Sequence, residues 1–330
     1  MSATPAAPAR LNRWVPASIF LATLVIASVL LFVRIPETTI ELIGTFSGLG
    51  FTSAAQQPLN GPLDVSSIGV AGLKDVELPD EIARPASGVS ALRVSTGAGV
   101  DPKQSAGSIV VDRFEVPADT RVWISRTSTP RQYRITLRSD RPEPISIHVD
   151  VNGALAFAPA GATPTLTTLR APRAVEISST SGSLDLEVTL AQGTQAPRWQ
   201  QIAARGLRVY QVQDDQKSDR PLMRPLSTLA TGSIYFESLG GTERKLRTGE
   251  MVRFASADGT LLTMDLRDDG IAATFQGDVK GMTVGAGDHP RSIMPPLVTW
   301  LRQRQGLSLL WGTALYLFGV TTTLRKWWNS

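Results

Sequence analysis

Arginine is the residue type most concentrated where chemistry could follow. Arg113, Arg121, Arg126, Arg131, Arg134, Arg138 and Arg141 fall within twenty-nine residues. Arg134 and Arg138 are four apart in a stretch that alternates like a strand, so they share one face. Arginine's planar fork matches phosphate and carboxylate, which makes this face a candidate surface for anionic headgroups, polysaccharide or a partner's acidic patch. The competing reading is a solvated outer sheet face, because exposed charge is the default for one-sided antiparallel sheets.

Other chemistry is sparse. No cysteine occurs, which excludes disulfides, thiol nucleophiles and cysteine metal sites. The two histidines stand apart: His148 alternates with Ile147 and Val149 in a strand-like run, and His289 sits in the loop-like Gly285-Ala-Gly-Asp-His-Pro290. Neither has the clustered ligand spacing of a transition-metal site. Asp265-Leu-Arg-Asp-Asp-Gly270 has the outline of a calcium loop, but Arg267 and Gln276 occupy positions that need oxygen ligands; a hairpin turn is expected there. No nucleophile elbow, phosphate loop or metalloprotease helix motif occurs, and Gly97-Ala-Gly99 lacks the strand-to-helix context of a phosphate cradle. We therefore expect a non-enzyme with no cofactor and no metal. The net charge of +4 comes from basic residues that are mostly arginine, scattered through strand-like segments without a basic block, so nucleic acid is not an expected partner.

The elements that would carry the arginines are short and alternating. Ser108–Val116, Thr120–Ser125, Gln132–Arg138, Ile145–Val151, Ala174–Ile177 and Ser183–Leu190 are rich in β-branched residues or alternate at period two. Asn152-Gly153 predicts a hairpin between Ile145–Val151 and Ala154–Phe157, and Ser181-Gly182 another turn. Residues 89–191 thus read as an antiparallel β-sandwich or jelly-roll-like region. Pro197–Arg205 reads as a short helix in a linker over 192–206, capped by Gly206. Residues 207–290 read as a second, smaller β unit with turns at Gly240-Gly241, Asp258-Gly259 and Asp269-Gly270. Short strands over 34–88 are expected to lie against that second unit.

Both ends of the chain are apolar. Residues 15–33 and 306–324 are each nineteen residues without a charge, close to the roughly 20 that cross about 30 Å of hydrocarbon. Charges cost about 2.5 to 3.5 kcal/mol each at a span's centre, so two transmembrane helices are predicted. The first run exceeds the apolar core of a cleaved signal, and Arg34-Ile-Pro-Glu37 offers no small-x-small site. Trp14, Trp300, Trp327 and Trp328 are expected membrane-edge anchors. Arg10, Arg13 and Arg34 precede any acid, which puts both termini (1–14 and 325–330) in the cytoplasm and the β region outside it, although Arg291, Arg302 and Arg304 weigh the other way. Residues 291–305 predict a short amphipathic helix, with Leu297, Trp300 and Leu301 on one face, either in the membrane interface or docked on the β region. Ser308, Gly312, Gly319 and Thr323 line one side of the second span and would let helix backbones approach, within one chain or in a homo-oligomer.

The overall expectation is a membrane-anchored all-β protein of the inner (plasma) membrane, in contact with lipid and with other membrane or envelope proteins. Two functions compete. One is a non-enzymatic envelope protein whose extracytoplasmic β domain binds or scaffolds partner proteins. The other is a lipid- or glycolipid-binding or docking module of an envelope transport complex: Thr274–Val284 is weakly similar to strands of periplasmic lipopolysaccharide-transport proteins, which would imply an apolar-lined trough.

Overall fold

Alternation dominates from Glu37 onward, and it folds as strands. The computed structural model describes residues 25, 28, 31–73, 75–77, 90–96, 107–141, 143–159, 163–179, 182–193, 198–215, 222–285, 290–304, 308, 312, 315, 316 and 319. These group into two units: Glu37–Ile293, and the two chain ends, Met1–Pro36 with Met294–Ser330.

The larger unit begins with β1 (Glu37–Phe46), β2 (Gly48–Ser53), β3 (Gln57–Ala71), β4 (Asp75–Glu77), β5 (Ala91–Thr96), β6 (Ser108–Val116), β7 (Arg121–Arg126) and β8 (Gln132–Arg138). Then come β9 (Ile145–Pro159), β10 (Thr165–Ser179), β11 (Ser183–Leu190), β12 (Arg198–Arg208), β13 (Tyr210–Asp215), β14 (Leu222–Ser227) and β15 (Leu229–Phe236). After a 3-10 turn follow β16 (Thr242–Leu246), β17 (Met251–Arg253), β18 (Ser256–Arg267), β19 (Gly270–Lys280), β20 (Thr283–Gly285) and β21 (Arg291–Ser292).

Sixteen strands form one antiparallel sheet, in the order β16, β15, β1, β19, β18, β12, β2, β7, β8, β11, β3, β5, β9, β10, β4, with β6 joined to β3 and β9. β13 and β14 make a separate pair, and β17, β20 and β21 a small third sheet. The 15-residue strands β3 and β9 hold two neighbours between them: β6 along Gln57–Val65 and Ser146–Asn152, β5 along Ser67–Ala71 and Leu155–Pro159. The large sheet rolls until its inner face meets itself. Phe114 on β6 packs edge-on against Trp199 on β12, centroids 5.7 Å apart at 88°, although β3, β11, β8, β7 and β2 separate those strands in hydrogen-bonding order. Ile40, Leu63, Ile68, Ile124, Tyr133 and Leu184 are fully buried on this face, each contributing roughly 1.5 to 3 kcal/mol by leaving water.

Three expectations need correction. The segment 198–208 is strand β12, not a helix. Trp199 and Ile202 are both buried three apart, a spacing that imitates a helix, because Gln201 at φ 54 breaks the alternation; their partners Met264 and Leu261 on β18 repeat the offset. The sheet therefore runs through the expected linker, with β12 joining β18 to β2. Asn152-Gly153 is not a hairpin. Only Gly153 has positive φ, at 74, whereas the tight turn needs it at both positions, so β9 continues and β10 carries the irregularity between Leu169 and Arg173. Asp258-Gly259 likewise lies inside β18, with Gly259 opposite Gly277 of β19. A Cβ on Gly259 would sit 2.2 Å from the Gln276 carbonyl oxygen, and one on Gly277 2.4 Å from that of Asp258: these glycines serve close strand approach.

Other expected turns are present. Gly182 at φ 65 links β10 to β11, Gly240 and Gly241 at φ 64 and 78 precede β16, and the hairpin expected at Asp269-Gly270 turns one residue earlier, at Asp268-Asp269, with Gly270 already in β19. Of the early strands, β1 pairs with β15 and β19 in the region read as the second unit, but β3 joins β11, β5 and β6.

In the unit made by the chain ends, Arg34 and Pro296 form an antiparallel bridge. The Ile35 amide donates to the Pro295 carbonyl at 3.1 Å, the Leu297 amide to that of Val33 at 2.8 Å, and the Arg34 guanidinium to the Met294 carbonyl. Helix α1 (Leu297–Gln303) follows, with Pro296 at its N-cap, where a missing N–H is harmless. Among the described residues no helix is long and apolar enough to cross a membrane. The predicted spans 15–33 and 306–324 lie mostly outside the described residues; within them Val25, Ser28, Leu31, Phe32, Ser308, Gly312, Leu315, Tyr316 and Gly319 are helical.

Candidate functional site

The strand β8 brings Arg134 and Arg138 to one outward face while Tyr133, Ile135 and Leu137 point into the core. The structure does not gather the seven arginines into one anion cradle. It disperses them among individual partners. Nη2 of Arg138 donates to both carboxylate oxygens of Asp185 on β11 at 2.7 and 3.0 Å, and Nη2 of Arg121 to both of Asp140 at 2.8 and 2.9 Å. Arg134 lies 3.9 Å from Glu187, Arg113 3.5 Å from Glu115, and Arg141 pairs with Asp119. Arg126 donates to the Asp269 carbonyl at 3.4 Å. Arg131 donates to the Ala191 carbonyl at 2.5 Å and lies 3.5 Å from Asp268. Exposed pairs of this kind add at most about 1 kcal/mol each, but they leave little free charge.

Beside this ladder, a groove of about 650 Å³ lies across the outer face of β8, β11, β3, β5 and β9, within the range of roughly 300 to 1,000 Å³ usual for ligand sites. Its geometry follows from register. Arg134, Glu187, Gly69, Arg93 and Ala158 form one cross-strand row, each the partner of the next. Thr136, Asp185, Ala71 and Ala91 form the adjacent row. Charged side chains stand at the β8–β11 side, and only glycine and alanine cover the floor along β3 and the start of β5. Gly69 is ordinary extended backbone with room for a side chain: an added Cβ would meet nothing nearer than 3.8 Å. Arg93 rises from β5 on the far side, exposed. Among the described residues no carboxylate or carbonyl pairs with it. Arg93 lies outside the Arg113–Arg141 cluster, so charge density does not mark it; the outward phase of Ala91-Leu-Arg-Val is the signal in the sequence.

A second trough, about 550 Å³, crosses the outer face of β16, β15, β1, β19 and β18. Thr45, Thr231, Ser233, Thr263 and Thr274 line it with Ile43 and Tyr235, and Asp265 with Arg267 closes one end. The apolar residues of β19 (Ile271, Phe275 and Val279) are buried in the core, so the Thr274–Val284 stretch presents threonine and not an apolar lining to this trough. Asp265 is itself nearly buried and takes hydrogen bonds from Arg198 at 2.9 and 3.2 Å and from Arg267 at 3.0 Å. Burial alone would raise its pKa, but those hydrogen bonds and charges prevail and hold it below the usual carboxylate range. A carboxylate so saturated is an anchor for β12 and β18, unsuited to proton transfer.

His148 lies in β9, 3.8 Å from Asp150 and opposite Arg113; His289 is outside the described residues. Among the described residues no group of three His, Cys, Asp or Glu could hold a metal. Of the expected membrane residues, Ser308, Gly312 and Gly319 are helical, and Trp300 on α1 stacks under the Arg304 guanidinium, 4.8 Å from the ring centroid. Thr323, Trp14, Trp327 and Trp328 lie outside the described residues. Neither a protein-family model nor a curated protein matches this chain.

Proposed function

We propose that the chain is a non-enzymatic envelope protein, held in the inner (plasma) membrane by its two ends, whose extracytoplasmic β unit binds or scaffolds partner proteins. The observation that carries this reading is the joining of residues 33–35 to residues 295–297 by backbone hydrogen bonds, which makes the chain ends leave side by side. Helical residues beyond that junction expose apolar side chains: Phe32 is 82% exposed, Leu315 67% and Tyr316 71%. Water would penalise such exposure, whereas lipid would not. Charge-free runs of spanning length at both ends fit a helical hairpin anchor, and small residues such as Gly312 and Gly319 fit close packing within it. On flanking charge both termini are cytoplasmic.

Alkaline carbonate extraction of vesicles tests the anchor. The native chain should stay in the pellet, and Val25→Arg, costing about 2.5 to 3.5 kcal/mol near the span centre, should shift part of it to the supernatant. Release of the native chain by carbonate would overturn the reading. Purification in mild detergent tests the scaffold: a stoichiometric protein partner is expected, and stoichiometric lipid with no protein would replace it by a lipid carrier.

A further inference from the structure

We infer that the groove over β3 and β5 seats an extended, acidic polypeptide segment of a partner, with one of its carboxylates on Arg93; this rests on the scaffold reading and names its contact site. Charge accounting across the groove selects the sign of the occupant. Asp185 is taken by Arg138 and Glu187 by Arg134 and by Gln132, so both acids of the lining are already compensated. Arg93 is the surplus charge, lacking a partner among the described residues. Its fork favours a planar carboxylate taken through two parallel N–H donors. A lone cation, not a cluster, suits one carboxylate better than a phosphate, whose charge calls for several donors.

The shape selects an extended chain. Gly69, Ala71, Ala91 and Ala158 remove side-chain bulk from two successive cross-strand rows, which leaves a shallow channel that a backbone can lie in. Its outward floor positions carry glycine and alanine in place of the large apolar side chains that an acyl chain or an aromatic anchor would need, since Val70, Leu92 and Leu186 are buried beneath. The Thr136 hydroxyl offers one donor and an acceptor to the backbone of such a segment. The paired charges at the β8–β11 side then fix its register more than they add affinity.

The experiment uses the full chain in detergent and a fluorescein-labelled oligoglutamate of eight residues, read by anisotropy at low and at 0.3 M salt. Saturable binding is expected. Arg93→Glu and Gly69→Leu should each raise Kd at least tenfold, the first by reversing the charge and the second by filling the floor, where the backbone leaves room for it. Arg208→Glu, the same change of net charge elsewhere on the sheet, should leave Kd within twofold. No binding, equal loss in Arg208→Glu, or displacement of the peptide by equimolar inorganic phosphate would overturn the assignment. A protein partner that still co-purifies with Arg93→Glu and Gly69→Leu would remove this groove while leaving the scaffold reading in place.

Discussion

Asp265 and Arg198 face each other as partners across β18 and β12, and the carboxylate accepts two hydrogen bonds from that one guanidinium, at 2.9 and 3.2 Å. Arg198 is more than half exposed and the Asp265 side chain is 7% exposed, so the pair works as a lid over a buried anion. Because the Asp265 pKa is depressed by folding, its contribution is fully present above the unfolded value of about 3.9 and disappears as pH falls through the folded value. Asp265→Asn should lower stability by about 2 kcal/mol at pH 7. Urea melts should show the gap between native and variant narrowing toward pH 3; a constant gap would contradict the assignment.

The buried Tyr133 hydroxyl donates to the β18–β19 hairpin, where the carbonyls of Arg267 and Gly270 accept, the latter at 3.0 Å. Tyr133→Phe keeps the ring and deletes the bonds, for an expected loss of about 1 to 3 kcal/mol. Desolvation pushes the phenol up to about 12, so the folded state holds its proton more tightly than the unfolded state. That stability is whole below about pH 10 and lost as pH rises toward 12. The urea midpoint of the native chain should fall between pH 9 and pH 11 by more than that of Tyr133→Phe.

Gly259 and Gly277 meet face to face with no room for a Cβ on either. Alanine at either position collides with backbone that cannot move alone, and a loss of about 3 kcal/mol is expected, read as a lower thermal midpoint. Gly69→Ala is the contrast. Its Cβ has ordinary contacts, and its effect should stay within about 0.5 kcal/mol.

Where strands are short and alternate without interruption, the residues announce them: Ser108–Val116, Gln132–Arg138 and Ser183–Leu190 are strands over the same residues that periodicity picks out. The all-β, antiparallel class follows from these. Legibility fails where a strand outlasts its pattern. Gly153, Gly259 and Gln201 each interrupt the alternation inside a strand, and read locally they signal a turn, a turn and a helix. What distinguishes a glycine at a turn from one at a close strand crossing is the neighbouring strand, as with Gly277 opposite Gly259, and that partner is distant in the chain. The groove was half legible. Arg134 stood out by charge density, but Arg93 became its counterpart only through three pairings, β8 with β11, β11 with β3 and β3 with β5.

The placement of β1 between β15 and β19 sets an order of events during synthesis. Ile40, Leu42 and Phe46 leave the ribosome early, yet the strands that cover them begin at Leu229 and Gly270. At about 5 to 20 residues per second, these side chains wait roughly ten to forty seconds for the first of their neighbours. Until then the nascent chain exposes an adhesive ribbon, and its yield in the cell will depend on whatever holds that ribbon apart from others until β15 and β19 arrive.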